Sequence, residues 1–90
     1  MATVTISTPT VGEVCWAHNR TFIVGKVGPK FVTGLVVEAD GVKTAKVPAR
    51  ELIPALYKGK PYPASKMRGH LRRMKGLTKG AKALRKELLH

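Results

Sequence analysis

The sequence predicts a mainly β fold with an α-helical C-terminal arm: a small antiparallel barrel, followed by one bent or two short basic amphipathic helices. Three observations support this prediction. Runs of β-branched and aromatic residues separated by turn residues fill positions 1–57. Met and Leu recur at helical spacing over positions 66–90, and most of the positive charge lies in the same part of the chain. We therefore expect a barrel domain over 1–57, a linker over 58–65 and a helical arm over 66–90.

The strands are predicted in order along the chain. Val4 and Ile6 alternate with Ser and Thr, and four further runs read VGEVCWAH, TFIVGKV, KFVTGLVVEA and VKTAKVP. TPT, HNR, VGP and ADG separate these runs, and Asp40-Gly41 suits the positive φ angles of a tight hairpin. So few short strands would leave edges and one face uncovered in a flat sheet, so we expect the sheet to close into a barrel.

A short turn and a last strand complete the predicted barrel. Residues 48–52 can form one helical or 3₁₀ turn, after which Ile53 and Leu56 can return to the core as a strand. Together with the glycine-initiated first strand at residues 11–14 and the twisted middle hairpins, this order resembles the SH3-like small-barrel class, which includes Tudor, chromo-like and KOW modules. The resemblance covers about residues 11–57 and implies a binding module.

The C-terminal arm is predicted to be helical. YKGKPYPAS reads as a linker because its prolines and glycine oppose both helix and sheet. Ser65 is a suitable N-cap, and we expect helices over about 66–75 and 79–89, with Thr78 capping the second. A single bent helix is the alternative.

The predicted helices have separate apolar and basic faces. On a wheel at about 100° per residue, the apolar arc contains Met67, Leu71, Met74, Leu77, Ala81, Leu84 and Leu88. A second arc forms a basic ladder of Arg68, Arg72, Lys75, Lys79, Lys82 and Lys86. We expect the apolar stripe to pack against the barrel or another arm.

The charge distribution indicates a polyanionic partner. The chain holds 17 Lys and Arg against five Asp and Glu, a net charge of +12, of which residues 58–90 carry +10 and residues 1–57 only +2. We predict a nucleic-acid-binding accessory protein, for DNA or RNA, with low sequence specificity because the arm has no Asn or Gln to read bases. The predicted binding residues are Arg68, Arg72, Arg73, Lys75, Lys79, Lys82, Arg85 and Lys86, with Lys58, Lys60 and Lys66 as additional candidates.

Other readings of the charge remain open. A protein-interaction module, such as a small regulator or inhibitor, could dock the same arm on an acidic protein surface. A ribosome-like RNA-packing protein is a third reading.

Catalytic, metal and cofactor sites are not predicted. Cys15 and His18 have a metal-like spacing but lack a second pair of ligands, and Cys15 lies in an apolar strand, so we expect a structural thiol. Asp40 is the only aspartate and lies in a turn, and the glycines form no P-loop, so we expect a non-enzyme without a cofactor.

Targeting and the aromatic residues complete the expectations. The lone cysteine and the lack of a signal-like or membrane-spanning run favour a cytoplasmic protein with no membrane span. We expect Trp16, Phe22 and Phe31 to pack in the core, and Tyr57 and Tyr62 to be more exposed.

Overall fold

The computed structural model describes residues 9–90. Within these residues, seven strands and two helices follow one another, with one 3₁₀ turn at Ala49–Glu51. The elements are β1 (Val14–Ala17), β2 (Arg20–Val27), β3 (Phe31–Glu38), β4 (Gly41–Pro48), β5 (Ile53–Pro54), β6 (Leu56–Tyr57), β7 (Lys60–Pro61), α1 (Ala64–Arg73) and α2 (Lys79–Leu89). The mainly β class with C-terminal helices is thereby confirmed, and the predicted strand around Val4 and Ile6 lies outside the described residues.

Strands β1 to β4 form consecutive antiparallel hairpins, as the turn signals predict. Between β1 and β2, His18 and Asn19 have φ angles of 50° and 65°, the positive values that a tight two-residue hairpin loop requires. The β3–β4 hairpin turns at Ala39 and Asp40, with Glu38 paired to Gly41. Short polar loops thus fix the register of the four main strands.

The sheet is open, so the prediction of a closed barrel is wrong. Its strand order is β4-β3-β2-β1-β5, with β4 at one edge and the two-residue β5 at the other. Closure is not needed because the two helices cover part of one face, which buries the apolar surface that closure would otherwise have to hide.

Two buried clusters lie on the two faces of the sheet. The inner cluster is contained within the sheet and the turn after β4, and consists of Cys15, Ala17, Phe22, Val24, Val32, Val36, Val47 and Leu52. The outer cluster joins sheet to helices and consists of Val14, Ile23, Leu35, Val42, Ala55, Met67, Leu71, Ala81 and Leu84. The apolar stripe of the arm therefore packs on the sheet, and the helices share a core with the strands.

Segment 53–63 differs from the prediction in two ways. Ile53 and Leu56 are exposed, and Ala55 between them is buried and donates its N–H to the Val14 carbonyl at 3.1 Å. The expected linker includes a small hairpin, β6–β7, in which Tyr57 pairs with Lys60. Pro61 is tolerated there because β7 is an edge strand of a two-stranded sheet.

The connection between the helices docks on the start of β4. Val42 donates its N–H to the Gly76 carbonyl and accepts a bond from the Thr78 N–H, both at 3.0 Å. Gly41, at φ 146°, lies so close to the Gly76 carbonyl that a Cβ on Gly41 would overlap the Gly76 oxygen. Close backbone contact between Gly41 and Gly76 therefore fixes where the connection between α1 and α2 meets the sheet.

Replacing Gly41 with Ala should lower the free energy of unfolding by more than about 1 kcal/mol, because the new Cβ adds a backbone clash to positive-φ strain. Gly59→Ala is the matched control, since Gly59 has a φ of 80° with no atom within 4 Å of its Cβ position. Urea denaturation of both variants measures the difference, and equal losses would show that the Gly41–Gly76 approach is unimportant.

Candidate nucleic-acid interface

Helix α2 presents three lysines to solvent. Thr78 caps it as predicted, because its Oγ1 accepts a hydrogen bond from the Ala81 N–H at 3.2 Å. Ala81 and Leu84 are buried against the sheet. Lys79, Lys82 and Lys86 lie on the opposite side and are exposed, so one face of α2 is purely cationic over about two turns.

Helix α1 carries exposed basic residues around a buried pair. Met67 and Leu71 face the core, while Lys66, Arg68, Arg72 and Arg73 are exposed. The helix begins at Ala64, two residues before the predicted start, so Ser65 lies inside its first turn. Pro63 takes the cap position without a side-chain hydrogen bond, which a helix tolerates because its first N–H groups have no intrahelical partner.

The basic ladder is divided between the two helices. α1 ends at Arg73 and α2 begins at Lys79, and Gly76 between them has a φ of 69°. The two-helix prediction is therefore confirmed, and the alternative of one bent helix is wrong. The structure brings Arg68 and Arg72 together on α1 and groups the three lysines on α2, with Lys75 exposed in the connection.

Arg85 joins the two helices. Its Nη1 donates to the carbonyl oxygens of Leu71 and Met74, each at 3.3 Å, at the C-terminal end of α1. The Leu71 carbonyl also accepts a hydrogen bond from the Met74 N–H at 3.4 Å, so the guanidinium adds to the backbone capping of this helix end. Arg85, predicted to contact nucleic acid, is thus half-buried between the helices in the structure.

The additional candidates Lys58, Lys60 and Lys66 lie around the β6–β7 hairpin and the start of α1. The Nζ atoms of Lys58 and Lys66 are 5.5 Å and 5.2 Å from the centroid of the Tyr57 ring. The Tyr62 ring is tilted by 48° to the Tyr57 ring, and the two ring centroids are 5.6 Å apart. Tyr57 therefore brings two of the three lysines together. Both tyrosines are half-buried.

Acidic partners for these cations are scarce. Within residues 9–90, Lys43 is the only Lys or Arg with a carboxylate oxygen within 4 Å, at 3.7 Å from Glu38 and 3.8 Å from Asp40. Glu51 contacts His18 instead, Oε1 to Nε2 at 2.7 Å, and Glu13 accepts hydrogen bonds from Thr10. The positive charge of the helices is therefore left without internal compensation in the described part of the chain.

Two aromatic residues are exposed that the sequence assigns to the core. Phe22 is fully buried as predicted, but Trp16 is 45% exposed and Phe31 is 44% exposed. Trp16 lies opposite Thr21 and Ile53, and Phe31 lies opposite Pro48. Both fall on the face of the sheet that carries the helices, outside the outer cluster, and remain exposed there. The sequence feature that could have indicated an exposed Phe31 is the presence of three lysines in the adjoining strands and turn: Lys26, Lys30 and Lys46.

Cys15 belongs to the inner cluster. Burial, together with the nearby Glu13 carboxylate, raises the pKa of its thiol to about 12. His18, the other half of the metal-like spacing, is exposed in the β1–β2 turn and contacts Glu51. Within residues 9–90, no three His, Cys, Asp or Glu side chains are grouped as metal ligands.

The Cys15 thiol should be inert towards a disulfide reagent at about pH 8 and react only when the protein unfolds, because the thiolate is the nucleophile. Since the folded pKa is raised, the unfolded state releases the proton first, and this group lowers stability as pH rises from about 9 towards 12. Reaction with dithionitrobenzoate in buffer and in guanidinium chloride measures the contrast. Rapid labelling of the folded chain would contradict the burial.

Comparisons with known proteins give no relative for this chain: no family model matches it, and neither a curated protein nor a solved structure does. The resemblance to the SH3-like class therefore stays a prediction. No helix within residues 9–90 is both long enough and apolar enough to cross a bilayer.

Proposed function

We propose that this chain is a nucleic-acid-binding accessory protein of low sequence specificity, which binds phosphates through the exposed cations of α1 and α2. The observation that carries the proposal is the uncompensated charge. Of the Lys and Arg within residues 9–90, only Lys43 has a carboxylate partner, while the helices expose cations on successive turns. Phosphates supply the missing negative charge, and releasing their counterions drives association.

The packing of the helices supports this function. Leu71 and Leu84 are buried against the sheet, and Arg85 ties the end of α1 to α2. The backbone that carries the cations is therefore ordered before a ligand arrives, so binding has to order only the lysine and arginine side chains. Such preorganisation improves affinity by reducing the entropy lost on binding.

Low specificity follows from the residue types. Lys and Arg on a helix surface contact phosphates, which are the same in every sequence. Residues 58–90 contain no Asn or Gln, the side chains that pair with adenine edges. Arg68, Arg72 and Arg73 can reach guanine, so a modest preference for guanine-containing sites is compatible with the proposal.

A protein-interaction module is the second candidate. The observation that favours it is the exposed apolar pair Trp16 and Ile53, which are opposite one another on β1 and β5, at 45% and 64% exposure. An apolar patch at a sheet edge, together with a basic surface, suits an acidic protein partner. A cytoplasmic location and the lack of catalysis are parts of both proposals, and the free buried thiol supports the location.

The test is a titration of labelled duplex DNA, single-stranded DNA and RNA with the full chain, at about 50 mM and about 200 mM salt. The whole chain is needed because the helices complete the outer core, so a fragment ending before α1 would expose that core. We expect micromolar or tighter binding that weakens at least tenfold at the higher salt. Negligible binding at low salt, with retention of one acidic protein in a pull-down, would favour the second candidate.

A further inference from the structure

Phe31 presents an aromatic ring to solvent at the start of β3. The preceding turn is closed by the Gly28 N–H, which donates to the Phe31 carbonyl at 2.9 Å. Alternation along β3 sends Val32 into the inner cluster, and this leaves Phe31 on the outer face. Phe31 is 44% exposed, so a large apolar residue leaves nearly half of its surface in contact with solvent.

Among the titratable groups of residues 9–90, only cations line the surface around this ring. Two shallow concavities meet at Phe31, one lined also by Val27 and Thr33 and the other by Pro48 and Ala49. The titratable side chains that line them are Lys26, Lys30, Lys46 and Arg50. The Lys46 Nζ lies 5.4 Å from the ring centroid. None of these four residues has a carboxylate oxygen within 4 Å among residues 9–90.

An exposed aromatic ring surrounded by cations matches the two kinds of group in single-stranded nucleic acid, the bases and the phosphates. Phosphates pair with ammonium and guanidinium groups, while an unpaired base stacks its flat face on an aromatic ring. In a duplex the base faces are covered by neighbouring base pairs, so the ring gains nothing from a duplex. Cations alone would hold both forms, and only the ring distinguishes between them.

We propose that Phe31 is a base-stacking platform for single-stranded nucleic acid, flanked by Lys26, Lys30, Lys46 and Arg50 as phosphate contacts. This inference rests on the proposed nucleic-acid-binding function and names the form of nucleic acid preferred. Lys46 covers the ring in the free chain through a flexible stem, and moves to a phosphate when a base takes its place.

The platform is continuous with the helices. Lys26 and Thr33 also line a groove along α2, together with Gly80, Ala83 and Glu87. A strand stacked on Phe31 can therefore extend along the sheet to α2, where the exposed lysines of the helix follow. Glu87 is the one acid among the residues that line this groove.

The test uses three labelled probes of equal length, about 12 nucleotides: oligothymidine, an abasic oligomer with the same phosphates, and a duplex. Phe31→Ala should weaken oligothymidine binding by about fivefold or more and change binding of the other two probes less than twofold. Phe31→Tyr should retain wild-type binding. Trp16→Ala is the matched control. Trp16 is as exposed as Phe31, but its partners on the neighbouring strands are Thr21 and Ile53.

The outcomes separate the two proposals. If wild-type binding is strong but Phe31→Ala weakens all three probes equally, or none, the stacking platform is wrong and phosphate binding stands. If the wild-type chain binds none of the three probes at low salt, the nucleic-acid function and the platform both fail. Circular dichroism on each variant checks that it is folded. If Phe31→Ala does not fold, the wild-type chain and Phe31→Tyr test the platform instead, because equal binding of oligothymidine and the abasic oligomer by both would contradict it.

Discussion

Reversing the basic ladder should reduce nucleic-acid binding by at least about a thousandfold at low salt, because each lost phosphate contact is replaced by a repulsion. The variant replaces six residues with Glu: Arg68, Arg72, Lys75, Lys79, Lys82 and Lys86. All six are exposed in the structure. Binding is measured by fluorescence anisotropy with single-stranded and duplex probes at about 50 mM salt.

The reversed chain should stay folded. Glu has nearly the helix propensity of Lys and Arg, and none of the six side chains has a carboxylate partner among residues 9–90. Six reversals lower the formal charge by twelve, from +12 to zero. A variant with wild-type circular dichroism that still binds would contradict the assignment of the ladder as the binding surface.

Replacing Leu71 with Ala should lower the free energy of unfolding by about 3 kcal/mol, with the range for buried leucines running from about 2 to 5 kcal/mol. Leu71 is fully buried in the outer cluster, where it joins α1 to the sheet. The melting temperature should fall by roughly 10–20 °C, given the small size of the domain. Thermal unfolding followed by circular dichroism gives both quantities.

The matched control is Leu56→Ala, which removes the same side chain from a position that is 57% exposed and should cost less than about 0.5 kcal/mol. The comparison also tests how the helices lie. An arm that left the sheet as a separate unit would make both substitutions nearly neutral, whereas helices that share the core make only Leu71→Ala costly.

The strands and helices follow from local signals. The runs that become β1 to β4 are rich in β-branched residues and are separated by turn residues, although the β3–β4 turn lies at Ala39 and Asp40, one residue before the predicted Asp40-Gly41 pair. Thr78 caps α2 in the structure as its position before the second helix predicts. The apolar stripe from Met67 to Leu88 identifies the buried face of the arm because its spacing matches the helical period.

The failed predictions depend on how distant segments meet. The closed barrel is wrong because the helices cover part of the outer face of an open sheet, and the strand sequences alone do not show which element will cover it. Trp16 and Phe31 are aromatic residues in strands, which predicts core positions, but both lie beyond the limit of the outer cluster that the strands share with α1 and α2. Short range patterns cannot specify that limit.

The candidate site was predictable where it depends on helical spacing and not where it depends on how the two helices meet. The exposed lysines of α2 follow from helical phase and are where the sequence expects them. Arg85 has the same residue type but lies against the end of α1, because the chain turns at Gly76 and brings Leu71 and Met74 within its reach. Predicting that role of Arg85 requires the position of the turn at Gly76 in addition to the helical wheel.

The most direct test of the central claim is the slope of log affinity against log salt concentration for two charge-matched double variants. Lys82→Gln with Lys86→Gln removes two exposed cations from α2, and Arg20→Gln with Lys43→Gln removes two cations from the sheet. We predict that the α2 pair reduces the slope by about 1.4 to 1.8 units, as two lost phosphate contacts require, while the sheet pair leaves it nearly unchanged. Equal changes in the two variants would contradict the claim that the helices provide the phosphate-binding surface.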